Sequence, residues 1–213
     1  MSSSDALILI VATLLLAFLL EVFVKYVEFS GFSRKDAITI VVLPLLAWIY
    51  LPPVKFGNIY NMTLYLSFSG FIIPVTVALK QIVTGNVNIK KVIFGTFLVA
   101  IVSYTVSRPG FGGVGIAYPQ LPILVASIYP ILVERKKPAP LAYTCASLGM
   151  FIGADLLNIP KLCGKSIYVT VGGAGIFDAI YLTGIAALIL DTNVCLIKYF
   201  VERYFNIKFN IKF

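Results

Sequence analysis

The stretch ALILIVATLLLAFLLEVFV, residues 6–24, decides the fold of this chain. It carries a single charged residue, Glu21, and a membrane-spanning α-helix needs about 20 mostly apolar residues. No basic region precedes the stretch, and it is long for the apolar part of a signal peptide, so we expect a retained membrane anchor. Lys25 follows Glu21 at the i,i+4 spacing of a helix, which predicts a local ion pair.

The composition extends this conclusion to the whole chain. Of its 213 residues, 60% are hydrophobic and 12% are charged, whereas soluble domains have about 45–50% apolar and about 25% charged residues. A soluble domain of this length would expose too much apolar surface. We therefore expect an all-α, polytopic transmembrane helix bundle, formed as one domain by residues 1–213 and lying in a cell membrane.

Apolar runs along the chain predict about seven spanning helices. Their expected bounds are 6–24, 37–51, 60–79, 92–106, 121–133, 139–159 and 174–190. Pro74 predicts a kink in the third helix, and Pro122 and Pro130 predict a tilted or broken fifth helix. Residues 198–213 alternate aromatic, apolar and basic residues, which is typical of an interfacial tail on the membrane surface.

The basic residues predict the orientation. If the N-terminus is outside, only four of the seventeen lysines and arginines fall in outer segments, namely Lys55, Arg108, Lys161 and Lys165. The excess of the other thirteen in inner segments is typical of cytoplasmic loops, so we expect a cytoplasmic C-terminus. The net charge of +8 then reflects topology and contact with anionic lipid. We expect membrane lipid as a partner and no nucleic acid.

The sequence does not favour a metal or cofactor site. It contains no histidine, which is the commonest transition-metal ligand. Its three cysteines, Cys145, Cys163 and Cys195, fall in different layers of the expected topology, which argues against a disulfide or a metal cluster. We therefore expect no cofactor and no bound metal.

Two acidic residues within the expected helices are the candidate catalytic residues. Asp155 lies about five residues before the outer end of the sixth helix, and Asp178 lies about six residues after the outer start of the seventh. Because these helices are consecutive and antiparallel, the two carboxylates are expected at matching depth. Two carboxylates at close range cannot both ionise easily, so one supplies a general acid and the other a general base.

Residues on the same outer side are the candidate substrate-binding residues. The segment RPGFGGVG, residues 108–115, is expected to be flexible or re-entrant. The prolines after it free backbone groups with which a peptide could pair, although a simple helix-start turn is an open alternative. Gly149 and Gly153 have the spacing that lets helices touch. The candidate substrate-binding residues are Pro119, Gln120, Leu121, Pro122, Gly172, Gly173 and Gly175.

The stretches GADLLN (residues 153–158), GGAGIFD (172–178) and LTG (182–184) carry a family resemblance. Over residues 108–190, the chain resembles an uncharacterised family of prokaryotic integral membrane proteins, the domain of unknown function 1614 (DUF1614) type. This resemblance implies an integral membrane protein and implies no activity.

A second resemblance is to the presenilin and signal-peptide-peptidase group of intramembrane aspartyl proteases. Asp155 resembles that group's first catalytic aspartate, and Asp178 resembles its second, although the nearest glycine lies three positions before it. The segment PQLP, residues 119–122, resembles the group's Pro-Ala-Leu motif but precedes the aspartates instead of following them. The resemblance implies hydrolysis of membrane-embedded peptide bonds by an Asp155/Asp178 dyad, with a transmembrane peptide as substrate.

Two other functions remain open on the sequence. An ion-coupled transporter or channel could use the same aspartates with Asn158 and Thr183, since intramembrane carboxylates can carry a proton or a sodium ion. A non-catalytic membrane subunit or scaffold would instead use the aspartates to cap helix ends or to pair with Arg108 or Lys161.

Overall fold

The computed structural model describes residues 3–134 and 137–205. Most of these residues are helical. The α-helices are α1 (Ser3–Phe29), α2 (Arg34–Val41), α3 (Leu43–Tyr50), α4 (Ile73–Val83), α5 (Ile89–Val106), α6 (Gln120–Val133), α7 (Pro138–Met150), α8 (Ile159–Leu162) and α9 (Ala179–Phe205). Two π turns, Phe68–Ile72 and Phe151–Asp155, and two 3-10 turns, Leu156–Asn158 and Gly175–Phe177, interrupt or extend them.

Five short strands, which the sequence did not predict, lie between the helices. They are β1 (Val54–Ile59), β2 (Met62–Leu66), β3 (Ser107–Gly110), β4 (Gly113–Ile116) and β5 (Tyr168–Val171). β1 and β2 form a hairpin, and β5 adds parallel to β2, with Leu64 opposite Val169. β3 and β4 form a second hairpin, whose turn is joined to the loop before β5 by a hydrogen bond from the Gly112 amide to Ser166.

The helices run between two ends of the bundle. All five strands lie at one end, here called the strand end. The loops at the other end contact one another through the ion pairs Lys80–Asp36 and Lys91–Glu134. This end is called the basic end. Within the described residues, α2 with α3, the first π turn with α4, and α7 with the second π turn and α8 each form one passage through the bundle.

Several helices of the described residues are candidate membrane spans. Four are long and apolar enough, by length and composition, to cross a membrane: Ser4–Phe29, Ile89–Val106, Pro138–Leu162 and Ala179–Val201. Two shorter apolar helices cover Phe68–Val83 and Gln120–Val133. The expected mostly helical architecture is thus confirmed, with four candidate membrane spans and with small sheets added at one end.

Helix α7 lies at the centre of the bundle. Its residues from Pro138 to Met150 are buried with one half-buried exception, Leu148. A Cβ atom on Gly149 would lie 2.5 Å from Val99 of α5, and one on Gly153 would collide with the Ala100 carbonyl group. The predicted close approach at these two glycines is therefore present, and its partner is α5.

The predictions for four of the helices need correction for local reasons. The third helix does not begin at residue 60, because residues 62–66 form β2 after a turn in which Tyr60 and Asn61 both have positive φ. The second is divided near Pro44, and the fifth is a continuous helix despite Pro130. The sixth predicted span leaves α-helical geometry at the second π turn.

Three predictions about surface segments also need correction. Residues 108–115, which were expected to be flexible or re-entrant, lie in the β3–β4 hairpin. The seventh helix begins at Ala179 and runs to Phe205, so the expected tail is helical over 198–205, while 206–213 lie outside the described residues. Glu21 pairs with Arg34 at 2.9 Å, not with Lys25.

Candidate functional site

The candidate site lies at the strand end, where the two π turns meet. The rings of Phe71 in the first turn and Phe151 in the second lie 4.6 Å apart, measured between centroids. The first turn has a local cause, because Pro74 lacks the amide that would bond to the Gly70 carbonyl group. Single π turns within helices often lie at functional sites, so this junction is a candidate functional site.

The second π turn is supported by a buried side chain. Asn158 is fully buried, and its Nδ2 donates hydrogen bonds to the carbonyl groups of Gly153 (3.2 Å) and Ala154 (2.9 Å). Irregular backbone inside an apolar bundle needs such partners. The Oδ1 atom of Asn158 has no hydrogen-bond partner among the described residues, so an acceptor remains open three residues from Asp155.

The glycine-rich loop 172–178 packs directly on the first π turn. A Cβ atom on Gly70 would collide with the Gly172 carbonyl oxygen and would lie 2.9 Å from the Asp178 Cβ atom. Gly172 and Gly175 have φ values of 71° and 66°, which favour glycine. These two left-handed residues end the extended chain of β5 and delay the start of α9 to Ala179. They therefore place Asp178 directly before the first residue of α9 and not within the helix.

Asp178 is held by backbone amides. Its Oδ1 accepts a hydrogen bond from the Ile180 amide at 3.0 Å, and its Oδ2 accepts one from the Ala174 amide at 3.4 Å. The first contact is the N-cap bond of α9. The carboxylate is half-buried, with its position fixed relative to both the glycine loop and the helix.

Asp155 is the last residue of the second π turn and has a different environment. Its half-buried carboxylate makes no hydrogen bond or ion pair with any residue in 3–134 or 137–205. It lies close enough to Asp178 for the two charges to interact. The structure therefore brings the two predicted catalytic residues together, one fixed by amides and the other without a protein partner.

No cation neutralises this pair within the part of the chain that the structure describes. Arg108 donates hydrogen bonds to the carbonyl groups of Thr105 and Ser107. Lys161 places its ammonium 4.1 Å from the centroid of the Tyr104 ring. Neither Arg108 nor Lys161 therefore forms the ion pair with Asp155 or Asp178 that a scaffold function would use.

The candidate substrate-binding residues divide into two groups. Pro119, Gln120, Leu121 and Pro122 lie at the start of α6, where Pro119 is the N-cap residue and Pro122 is buried. No hydrogen bond in the described ranges joins this segment to either aspartate. Gly172, Gly173 and Gly175, in contrast, belong to the loop that carries Asp178.

A cavity of about 400 Å³ opens beside the glycine loop. It is lined by Trp48 and Tyr50 of α3, by Ser67 and Ser69, and by Gly173 and Gly175, among others. The hydroxyl groups of Ser67 and Ser69 are buried and lie 3.2 Å apart. The serines were not predicted, because no spacing in the sequence links residue 67 to the distant loop 172–178.

Two further acidic residues, Asp36 and Asp191, are buried, which the sequence did not predict. Asp191 was expected beyond the end of the seventh helix, but it lies inside α9 and is fully buried. Asp36 was expected at a helix end, and it is the first-turn acid of α2 with only 6% of its surface exposed. The apolar residues after Asp191 were the signal that α9 continues.

Asp36 is fully compensated. It accepts hydrogen bonds from the Lys80 ammonium (2.5 Å), the Gln81 amide (3.2 Å) and the Ser33 hydroxyl (2.8 Å). Burial by itself raises the pKa of the Asp36 carboxyl, but these hydrogen bonds and the charge of Lys80 outweigh burial and hold the pKa below its ordinary value.

The described residues contain no group of three or more cysteines, aspartates or glutamates that could hold a metal ion. The three cysteines are free: Cys145 is buried, Cys163 is exposed and Cys195 is half-buried. The polar groups that the strand-end site presents are carboxylates, hydroxyls and backbone groups.

Comparison with known proteins gives one match. The family model described as "Protein of unknown function (DUF1614)" matches residues 48–190, a range that contains both π turns, the glycine loop and both aspartates. No curated protein and no solved structure matches the chain. Since the matched range covers more than half of the sequence, the chain belongs to the DUF1614 family.

Proposed function

We propose that the protein crosses a cell membrane seven times, with its N-terminus outside and its C-terminus in the cytoplasm. The support is the charge difference between the two ends. Lys55, Arg108, Lys161 and Lys165 are the basic residues of the strand end, and the remaining lysines and arginines belong to the other segments. An excess of basic residues is typical of cytoplasmic loops. The strand end and its aspartates then face outward.

We propose that the protein is an intramembrane aspartyl protease that hydrolyses membrane-embedded peptide bonds with Asp155 and Asp178. One observation carries this proposal: Asp155 ends one of two π turns that pack together through Phe151 and Phe71, Asp178 lies against the other π turn at Gly70, and no described cation pairs with either carboxylate. Two such carboxylates in one site favour a shared proton. A purely structural pair would be expected to have a compensating lysine or arginine, as Asp36 has.

The reaction follows from this pair. The ionised carboxylate takes a proton from water as the water oxygen attacks the carbonyl carbon of the peptide, while the protonated carboxyl group gives its proton to the carbonyl oxygen. The tetrahedral product then breaks its C–N bond as the nitrogen receives a proton from the first carboxyl group, and one hydroxyl group of the product returns a proton to the second carboxylate. The products are a carboxylic acid and an amine. No covalent bond to the enzyme is needed.

The edge of the three-stranded sheet offers a place for the substrate. The strand order is β1-β2-β5, so β5 is an edge strand. It leads directly into the loop that carries Asp178, and its outer residue Tyr168 is 63% exposed. A peptide that pairs with β5 by strand addition would be extended, and an extended peptide presents its carbonyl groups to catalytic residues better than a helix does.

The experiment is a cleavage assay in lipid vesicles. Purified protein is incubated with a panel of single-span peptides, and products are identified by mass spectrometry. We expect cleavage near the strand-end side of the peptides, inhibition by a peptide that carries a hydroxyl group in place of the scissile amide, and no cleavage by Asp155→Asn. Glu134→Gln is the matched control, because Glu134 pairs with Lys91 at the other end. Equal cleavage by wild type and Asp155→Asn would refute the proposal.

The second candidate function is a non-catalytic membrane subunit, and the N-cap bonds of Asp178 favour it. If capping is the only role of Asp178, Asp178→Asn should be silent, because asparagine caps as well as aspartate. If Asp178 is catalytic, the same substitution removes activity and leaves stability intact. Asp178→Ala should cost about 1 kcal/mol of stability under either function, because it removes the cap.

A further inference from the structure

A cavity of about 660 Å³ lies at the basic end, far from the proposed protease site. Its walls come from the end of α1, the start of α7 and the second half of α9. Ligand sites commonly have a volume of about 300–1,000 Å³, mostly apolar walls and a few polar groups. The apolar wall is formed by Phe29, Leu196 and Phe200, among others.

The polar group that distinguishes this cavity is Asp191. Its side chain is fully buried, and it lies in the cavity wall beside Thr192 and one turn before Cys195. Its Oδ1 accepts a very short hydrogen bond from the Ser127 hydroxyl group. Its Oδ2 has no hydrogen-bond partner among the described residues. A buried carboxylate with an unused oxygen is costly unless a donor or cation completes it.

The described side chains do not provide that cation. No lysine or arginine nitrogen within the described ranges forms an ion pair with Asp191. Glu28, on the opposite wall, is already paired with Arg34 at 3.4 Å. The stem of Lys137 lies against Gly31, since a Cβ atom there would approach the Lys137 Cδ atom to 2.9 Å. Lys198 is near enough for its charge to act on Asp191, but it makes no direct contact.

We propose that this cavity binds an amphiphilic amine, whose protonated nitrogen donates a hydrogen bond to Asp191 Oδ2 and whose apolar body lies against Phe29, Leu196 and Phe200. The inference is independent of the proposed protease activity. Asp191 lies seven residues before Lys198 along α9, so the carboxylate is at the membrane-buried end of the cavity and the aromatic residues are toward the loops. The ligand therefore enters with its amine first. A free alkylamine and the headgroup of an aminophospholipid share this chemistry.

The first test is equilibrium binding in phosphatidylcholine nanodiscs. The probe is a fluorescent primary alkylamine, and the control ligand is the alcohol with the same apolar body. We expect the amine to bind about tenfold or more tightly than the alcohol, since a charge-assisted hydrogen bond is lost in the alcohol. Asp191→Asn should reduce amine affinity to that of the alcohol, whereas Glu134→Gln, which lies outside the cavity, should not change it. Equal affinities for amine and alcohol would overturn the proposal.

The second test does not depend on the folding of an Asp191 variant. Cys195 lines the cavity and is half-buried, whereas Cys145 is buried, so Cys163→Ser leaves Cys195 as the main accessible thiol of the described residues. Saturating amine should slow maleimide labelling of Cys195 about tenfold or more, while the alcohol at the same concentration should not. An unchanged labelling rate in the presence of bound amine would place the ligand elsewhere and overturn the proposal. If phosphatidylethanolamine in the nanodisc competes with the probe, the natural amine is a lipid headgroup; if it does not, the amine is a free solute.

Discussion

Asp155 at the strand end and Asp36 at the basic end are both acidic residues on helices of an apolar bundle, yet their surroundings are opposite. Asp36 receives hydrogen bonds from an ammonium, an amide and a hydroxyl group. Asp155 makes no described hydrogen bond, and the charge that acts on it comes from another carboxylate, Asp178. The negative charge of Asp36 is stabilised by hydrogen-bond donors, whereas Asp155 lies near a group of the same charge.

This difference separates a structural acid from a candidate catalytic one. An acid that is fully bonded contributes to stability, and its removal leaves its partners unsatisfied. An uncompensated acid near a like charge lowers stability, and such sites are usually retained for function. Asp178 combines both properties, because it caps α9 and is also an acid close to Asp155.

The largest effect is expected for Asp155→Asn. Removal of one member of a carboxylate pair should lower the rate of peptide cleavage by about 10³-fold or more. The same substitution should leave the melting temperature unchanged or raise it, because it removes repulsion from Asp178. Cleavage rates and thermal unfolding are measured in the same lipid vesicles. A marked loss of stability with activity retained per folded molecule would reverse the roles assigned to the two acids.

Gly153→Ala should show how far stability depends on the contact between the second π turn and α5. A Cβ atom at this position collides with the Ala100 carbonyl group, and overpacking of this kind costs about 1–3 kcal/mol. Gly57→Ala is the matched control, because nothing lies within 4 Å of a Cβ atom there. Unfolding by denaturant compares the two variants. Equal stabilities would mean that α5 can shift at no cost and that the glycine is not required for the packing.

Asp36→Asn should lower stability while sparing activity. The substitution weakens charge-assisted bonds from Lys80 and the amide of Gln81, which together predict a loss of about 1.5 kcal/mol, reduced because Lys80 is partly exposed. The measurement is the cleavage rate per folded molecule together with the free energy of unfolding. A cleavage defect as large as that of Asp155→Asn would show that the basic end also takes part in the chemistry.

The smallest effect is the pH dependence that Asp36 contributes. Its pKa in the folded protein lies below the unfolded value of about 3.9. Its contribution to stability is therefore complete above about pH 4 and is lost as the pH falls through the lower, folded pKa. The difference in melting temperature between wild type and Asp36→Asn should shrink in that acidic window and stay constant above it. A difference that grows on acidification would mean that the pKa is raised instead.

Much of the helical architecture follows from hydropathy, but the local geometry of the site does not. The apolar runs predicted seven passages because a spanning helix must satisfy its own backbone, and this constraint is visible in composition. The start of α9 was missed because Gly172 and Gly175 adopt left-handed conformations that only tertiary packing on Gly70 selects. The strands were missed because β2 and β5 are far apart in the sequence and pair only after the helices assemble.

The site itself was partly predictable for the same reason. The prediction put Asp155 and Asp178 at matching depth inside two consecutive antiparallel helices, whereas in the structure Asp155 ends the second π turn and Asp178 directly precedes α9. The π turns were not predictable, because they depend on the loss of a single amide at Pro74 and on the side chain of Asn158. The cavity around Asp191 could not be predicted, because one of its walls depends on where α1 packs. In the structure α1 packs on α9, and Tyr26 donates hydrogen bonds to the Ile189 carbonyl group and to Asn193 Oδ1.

The most direct test of the proposed dyad is the cleavage rate of Asp155→Asn, Asp178→Asn and the double variant, measured on one peptide. Residues that act as a unit are not additive, so we expect each single variant to lose about as much activity as the double variant. Thermal unfolding should remain at or above the wild-type temperature in both single variants, since asparagine preserves the N-cap of α9. Losses that multiply in the double variant, or a single variant that retains about a tenth or more of wild-type activity, would contradict a shared catalytic role for Asp155 and Asp178.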